Sequence, residues 1–284
     1  MLSTKLGEVH CIRFYDPATQ AALEHRFNLI DWLHKALPDE LLLYFQPQVD
    51  KDGNPVGAET LIRWQHPVMG LIPPAMFIPL AEETGLILPI GAWVINAACQ
   101  QLTLWANDPA MCHLKLAVNV SAKQFLQADF ANLVLDSIDR SGANPHLLKL
   151  ELTESMLVSD ADSVIEKMLH LKRHGVSFSL DDFGTGYSSL AYLKRLPLDQ
   201  LKIDQSFIRN LLQDSNDKAI VCAVINMGQS LGLEVIAEGV ETKEQRDALV
   251  SYGCHHFQGY LFGRPQPIDR FESNIRNQYQ ELLS

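Results

Sequence analysis

The sequence predicts a closed (β/α)8 barrel. Eight strand-like runs are present, helical patterns separate most of them, and the chain has 284 residues, a length at which such barrels form one domain. The first two strands are joined by a short polar turn, so they are expected to form a hairpin that sets one strand antiparallel to its neighbours. A doubly wound open sheet is the other arrangement that the same βα rhythm allows.

Residues 1–20 carry little pattern beyond a short strand over Val9–Tyr15 and a turn at Asp16-Pro17. Leu23, Phe27, Ile30, Leu33 and Leu37 then recur at helical spacing, which predicts a helix from about Pro17 to Leu37, with Pro38 after it. The hairpin follows, with strands Leu41–Val49 and Val56–Trp64 around the turn Asp50–Asn54. Gly70–Pro74 reads as a loop, and Pro74–Glu83 and Pro89–Trp105 as helices. Six further strands are expected at Leu114–Val120, Leu147–Leu152, Val176–Asp181, Gln200–Ile203, Leu233–Ala237 and Cys254–Phe257. Helices are expected near Asp129–Ser141, Asp160–His174, Ser188–Leu193, Lys218–Leu231, Lys243–Tyr252 and Pro267–Leu283.

Composition narrows the function classes. Hydrophobic residues make up 47% of the chain, enough for a sizeable core, and the net charge is −11. Such a charge argues against DNA binding, which needs a basic face. It leaves room for a small phosphate ligand if metal ions offset the local charge. The cysteines are Cys11, Cys99, Cys112, Cys222 and Cys254; their number is odd and none forms a CxxC pair. The reading is no disulfide framework, no thiolate zinc site and a reducing cytoplasm. No uninterrupted apolar run reaches the ~18 residues of a membrane span, and His10, Arg13 and Asp16 interrupt any leader-like core.

Polar residues stand at or near the ends of seven of the strands. They are Glu59 and Arg63, Asn119, Glu151 with Glu154, Asp181-Asp182, Lys202 with Asp204, Glu238 and Gln258. Each interrupts an apolar strand and so needs a partner. By the two-residue period Glu59, Leu61 and Arg63 share a face. Taken alone, Asp181-Asp182 has two readings: a turn whose carboxylate caps a following helix, with Ser188 as a further cap, or a pair of aspartates with a cation between them. In a barrel the strand ends meet at one rim. Several carboxylates and two amides there form a hard-oxygen set that suits Mg²⁺ or Mn²⁺ rather than zinc. An Asp-Asp pair beside further carboxylates fits two metals sharing a ligand, the arrangement used for in-line phosphoryl displacement. Lys202 could hold an anionic substrate or a metal-bound water, and Arg63 could grip a phosphate. The bland reading of the whole set is a structural ion-pair network.

Other motifs carry less. Asp182-Phe183-Gly184 matches a protein-kinase triplet, but no GxGxxG precedes it and no His-Arg-Asp loop is present. His66 is read as a loop histidine with a backbone partner, and His255-His256 as structural.

Taken together these segments resemble the EAL family of cyclic-di-GMP phosphodiesterases, from about Leu41 to Phe271. The resemblance rests on Tyr44-Phe45-Gln46-Pro47, Glu59-Thr60-Leu61-Ile62-Arg63-Trp64, Phe77 to Glu82, Asn119-Val120-Ser121, Glu151-Leu152-Thr153-Glu154, Asp181 to Ser189, Leu201-Lys202-Ile203-Asp204, Ala237 to Glu241 and Gln258-Gly259-Tyr260, in that order.

The resemblance implies a TIM-like barrel with one antiparallel strand and an enzyme that opens cyclic di-GMP to linear pGpG with two Mg²⁺ or Mn²⁺ ions, which Ca²⁺ would inhibit. By matching position, Glu59, Asn119, Glu151 and Asp181 would hold the first metal, and Asp181, Asp182, Glu238 and Gln258 the second. Lys202 would help activate water, with Glu59 and Glu238 also in the catalytic set. Gln46, Leu61 and Arg63 would face the dinucleotide, and Glu154 would brace the loop after Asp182. Thr60 stands where the family signature has alanine; strand alternation turns it away from Glu59, so it should be tolerated. A catalytically weak cyclic-di-GMP receptor is the alternative function, and an enzyme on another phosphodiester a remoter one. The resemblance further implies a bacterial cytoplasmic homodimer pairing near the loop after Asp182. Residues 1–38 resemble a linker and the tail of an upstream GGDEF-type regulatory domain, which leaves 39–284 as the barrel.

Overall fold

A computed structural model describes residues 17–37, 39–154, 161–184 and 193–283. Its centre is a single sheet that closes on itself. β1 (Leu41–Asp50) pairs antiparallel with β2 (Pro55–His66). β2 also pairs antiparallel with the short β3 (Gly70–Ile72) and parallel with β4 (Lys115–Val120). Parallel pairing continues through β5 (Leu148–Thr153), β6 (Ser177–Phe183), β7 (Gln200–Ile203), β8 (Glu234–Ala237) and β9 (His256–Gln258). β9 then meets β1 antiparallel and closes eight strands into a barrel. A two-residue strand, β10 (Gln266–Pro267), lies outside it against β1. β1 therefore runs against both of its barrel neighbours, as the hairpin predicted. The open-sheet alternative is overturned by the β1–β9 pairing.

Helices cover the outside: α1 (Pro17–Ala36), α2 (Pro74–Thr84), α3 (Ile87–Trp105), α4 (Ala122–Phe125), α5 (Phe130–Ser141), α6 (Ala161–Arg173), α7 (Gln205–Arg209), α8 (Ser215–Leu231), α9 (Lys243–Ser251) and α10 (Ile268–Leu283). Their ends follow local chemistry. Ser121 and Gln124 form a capping box at α4, and Thr242 and Gln245 form one at α9. Gly85, Gly142 and Gly232 close α2, α5 and α8 in the left-handed conformation.

Three expectations are amended. The stretch read as the loop Gly70–Pro74 holds β3, because β2 runs past the barrel rim and finds a partner there. The short helices α4 and α7 span little more than one turn, too little for a periodic signal. By length and composition α3 could cross a membrane, although polar residues interrupt its apolar run. It instead turns Ile90, Val94, Ile95, Ala98, Cys99, Leu102 and Trp105 into the core. The strand expected at Val9–Tyr15 and nearly all of the helix expected at Ser188–Leu193 lie outside the described residues.

The core sits between barrel and helices. β1 alternates, with Phe45 and Val49 buried outward. Phe45 meets Trp105 of α3 and Phe271 of α10 at ring distances of 6.0 and 5.8 Å. A second cluster joins Trp32 of α1, His66 and Trp64 of β2, and Phe77 of α2. Leu29, Leu33 and Ala36 of α1 are buried in the same core, which docks the end of that helix on the barrel. The packing fixes the strands, and the strands fix the inward side chains.

Candidate active site

β5 shows how the sequence fills the barrel interior. Leu148, Leu150 and Leu152 alternate with Lys149 and Glu151, and all five are buried. One set packs under the helices; the other is a pair of charges inside the barrel. The neighbouring strands supply matching polar positions. Asn119 of β4 stands in register with Glu151, and Glu151 with Ser179 of β6.

Lys202 of β7 is the hub. Its ammonium is 1% exposed and lies 2.6 Å from Glu151 Oε2, 2.6 Å from Glu238 Oε1, 3.2 Å from Asp181 Oδ1 and 4.0 Å from Glu59 Oε1. Burial alone would depress its pKa, but the Glu151 and Glu238 carboxylates outweigh burial and hold it well above the ordinary lysine value. The carboxyls move the other way. Burial pushes Glu151 up to about 8 against the pull of Lys202, and it pushes Glu238 well above the usual range. Four carboxyl groups face one ammonium, and the raised values of Glu151 and Glu238 relieve the negative charge that all four would carry if ionised.

Glu59 is gripped by two amides. Asn119 Nδ2 donates to its Oε1 at 2.5 Å, and Gln258 Nε2 to its Oε2 at 2.5 Å. Gln258 Nε2 also donates to Gln46 Oε1 at 3.1 Å, and Gln46 Nε2 to the Gly263 carbonyl at 3.1 Å. Glu59 lies in the middle of its strand rather than at its end, because β2 continues to β3 above the rim. Gln258 is followed by a glycine for a steric reason. A Cβ on Gly259 would stand 2.2 Å from the Val240 carbonyl oxygen, and the Val240 amide donates to the Gln258 carbonyl at 3.1 Å.

Adjacent residues of a regular strand point to opposite faces, so Asp181 and Asp182 would not both serve one site. β6 departs from regularity here. Leu180 pairs with Leu201 and Phe183 with Ile203, which leaves one extra residue in β6, a bulge. Asp182 adopts φ 55°, and its amide donates to Asp181 Oδ1 at 2.9 Å. Its carboxyl is raised by partial burial and then by Asp181 and Asp204, but Asp182 is exposed and is not among the residues that line the cavity described next.

Above this floor opens a cavity of about 400 Å³ whose lining includes Gln46, Glu59, Leu61, Arg63, Asp181, Lys202, Glu238 and Gln258. That size is typical of small-ligand sites. Arg63 lies with its guanidinium 5.3 Å from the Tyr44 ring centroid. The structure thus gathers eight of the expected residues around one cavity, with Asn119 and Glu151 hydrogen-bonded to its floor. Glu154 is buried, with both carboxylate oxygens unpartnered among the described residues. The loop it was expected to brace, from Thr185 on, lies outside them.

Gln205, Arg209, Glu241, Tyr260 and Pro265 also line the cavity and were not singled out in the sequence. Glu241 and Tyr260 stand inside motifs noted above. Gln205 and Arg209 lie on α7, which left no periodic trace. Gln48 was missed as well, although it sits two residues after Gln46 on the inward face of β1 and is buried beside Gln258.

Several other features are structural. Thr60 turns outward and its hydroxyl donates to the Ala117 carbonyl at 2.8 Å. His66 Nδ1 accepts from the backbone N–H groups of Val68 and Met69. Beneath the site Lys149 Nζ and Ser179 Oγ both donate to Gln200 Oε1, a second polar layer that seals the barrel. A separate cavity of about 410 Å³ between α2, α3, β2 and β4 is lined mainly by apolar side chains such as Ile78, Ile87, Ile90 and Val94 and offers little acid–base chemistry.

Among the described residues no three His, Cys, Asp or Glu side chains form a ready cation cage, because the carboxylates close on Lys202 instead. The donor set nevertheless fits a hard divalent cation. Among the described residues Glu151 Oε1 is buried with no partner, and the carboxyl groups of Glu59, Glu151, Asp181 and Glu238 supply hard oxygen donors around the floor.

A family described as "EAL domain" matches residues 30–265. The chain is 44% identical over 264 residues to MucR of Pseudomonas aeruginosa, named a bifunctional diguanylate cyclase/cyclic di-GMP phosphodiesterase. The match covers 92% of this chain and 38% of that protein. Another Pseudomonas aeruginosa protein, named a cyclic di-GMP phosphodiesterase, is 38% identical, over 92% of this chain and 45% of its own length. The chain thus spans less than half of either relative. A solved structure described as the PaMucR phosphodiesterase in complex with c-di-GMP superposes with a TM-score of 0.83 at 46% identity, over 86% of this chain and 99% of that one.

Proposed function

The chain belongs to the EAL-domain family, and from that premise we propose that it is a divalent-metal-dependent phosphodiesterase that hydrolyses cyclic di-GMP to linear pGpG. One observation carries the reading: four carboxylates surround the buried Lys202 ammonium at the floor of an open cavity. A purely structural salt bridge would pair the lysine with one carboxylate, whereas here four carboxyl groups crowd it.

Glu59, Asn119, Glu151 and Asp181 would hold one ion, and Asp181, Asp182 and Glu238 a second, with Gln258 acting on it through a water; both are Mg²⁺ or Mn²⁺ in this reading. When bound, such ions supply Lewis acidity to the phosphate and lower the pKa of water. The chain's residues do the rest. Lys202 orients the attacking water and steadies negative charge at the phosphorus, since its raised pKa keeps it a cation. Glu238, 2.6 Å from Lys202 Nζ, would complete the second ion's surroundings and belong with Glu59 to the catalytic set. Arg63 at the rim offers a guanidinium to a phosphate oxygen, and Gln46 and Leu61 meet the dinucleotide.

The choice of substrate is supported by the relatives: the solved PaMucR domain is described in complex with c-di-GMP, and both Pseudomonas aeruginosa proteins are named as phosphodiesterases of cyclic di-GMP. The chain is expected to act as a homodimer in the bacterial cytoplasm, regulated by a further domain, since these two relatives are more than twice its length. Incubation with cyclic di-GMP and Mg²⁺, followed by chromatography of the products, tests the activity. Tight binding without pGpG would favour the receptor reading instead.

A further inference from the structure

We propose that Gln48 is a positioning residue for this active site, acting through Gln258 on Glu59. The inference rests on the phosphodiesterase reading given above. Gln48 is 2% exposed and its Nε2 donates to Gln258 Oε1 at 2.9 Å. Gln258 Nε2 then donates to Glu59 Oε2 and to Gln46 Oε1. The direction of the chain is forced from the carboxylate end. Glu59 as a carboxylate only accepts, so Gln258 must present its nitrogen there and its oxygen to the other side. A donor is then required at that oxygen, and Gln48 is the residue that provides it.

The fold explains why β1 carries this task. β1 runs antiparallel to both β2 and β9, and its inward face pairs Gln46 with Glu59 on one side and Gln48 with Gln258 on the other. It is the seam where the first and last strands of the barrel meet. An amide is nearly the same shape either way round, so its partners decide its orientation. Without Gln48, Gln258 Oε1 would be buried without a donor. The amide would then rotate in search of one and loosen its grip on Glu59. Gln48 is not among the residues lining the cavity, so it should affect chemistry more than substrate affinity.

The test compares wild type, Gln48→Met, Gln258→Met and the double variant in cyclic di-GMP hydrolysis with Mg²⁺. Methionine keeps the length of the side chain and removes the donor. Gln48→Met is expected to lower kcat by about 10–100-fold, the usual effect of removing an outer hydrogen-bond partner of a metal site, with KM changed less than about twofold. In the double variant the Gln48 substitution should cost little beyond Gln258→Met alone, because the two act in series. Gln48→Lys, which restores a donor at similar length, should recover much of the lost kcat. An unchanged kcat in Gln48→Met overturns the inference, as do losses that multiply in the double variant or a loss carried by KM. Absence of turnover in the wild type would instead refute the phosphodiesterase reading.

Discussion

Lys202 Nζ and Glu151 Oε2 stand 2.6 Å apart at the floor of the barrel, while the other oxygen of the same carboxylate is buried without a partner among the described residues. One oxygen of Glu151 is thus satisfied by Lys202, and the other is open to a cation.

Glu151→Gln should therefore separate stability from function. It replaces a carboxyl that burial keeps protonated up to about 8 with its neutral isostere, and Lys202 keeps Glu238 and Asp181. Without divalent cation the variant should melt no lower than wild type, yet lose at least about a hundredfold in kcat, the scale on which electrostatic groups in active sites act. Lys202→Met does the opposite, leaving four carboxylates with no cation. It should destabilise the metal-free protein by about 3–5 kcal/mol. Thermal melts and product assays on both variants check this.

Divalent cation should raise the melting temperature of the wild type, since a ligand of the native state alone stabilises it by mass action. The rise should shrink in Glu151→Gln. A chelator should reverse it and stop turnover. Ca²⁺ should support binding and not hydrolysis. Differential scanning fluorimetry with Mg²⁺, Mn²⁺ and Ca²⁺ reads the first effects, and chromatography the last.

The metal-free protein should lose stability as pH rises from about 6.5 to 8. Glu151 binds its proton up to about 8 in the folded chain, against the ordinary 4.5, and Glu238 and Asp182 are raised as well. A carboxyl raised in the folded state contributes stability below its unfolded pKa and loses it as pH climbs through the folded value. His256 works the other way but only below its ordinary 6.5, because burial lowers it. Lys149, lowered by burial to about 8 from 10.5, matters only above that window. Saturating Mg²⁺ should flatten the slope. A metal-free melting temperature that rises with pH over this window would contradict the charges described for the floor.

Thr60→Ala should leave kcat within about twofold of wild type. The hydroxyl faces the outer layer and its bond to the Ala117 carbonyl is worth about 1 kcal/mol. A small fall in melting temperature with full activity is expected; a large change in kcat would mean that the signature triplet matters beyond Glu59 and Leu61.

Maleimide should label Cys112 in the native protein and spare Cys99 and Cys254. Cys112 is exposed, whereas burial pushes the other two thiols up to about 12 and leaves almost no thiolate at pH 8. Mass spectrometry of tryptic peptides distinguishes them.

Much of this was legible in the sequence. The eight strands could be read because each is a short apolar run, and the polar residues inside those runs announced themselves by needing partners. The hairpin turn at Asp50–Asn54 gave away the reversed strand. What escaped reading depends on geometry that a period does not carry. The bulge that breaks the alternation at Asp181 and Asp182 is a pairing event between β6 and β7. The single turn of α7, which brings Gln205 and Arg209 to the cavity, is too short to show periodicity. Gln48 could have been found, since it shares the inward face with Gln46, but its meaning comes only from Gln258, 210 residues away.

The most direct test of the whole account is hydrolysis of cyclic di-GMP by this chain with Mg²⁺, with and without the Lys202→Met substitution. The account predicts linear pGpG from the wild type, and a variant that still binds the dinucleotide but turns it over at least about a hundredfold more slowly. Nucleotide bound by the wild type with no pGpG formed, or a variant as fast as wild type, would contradict it.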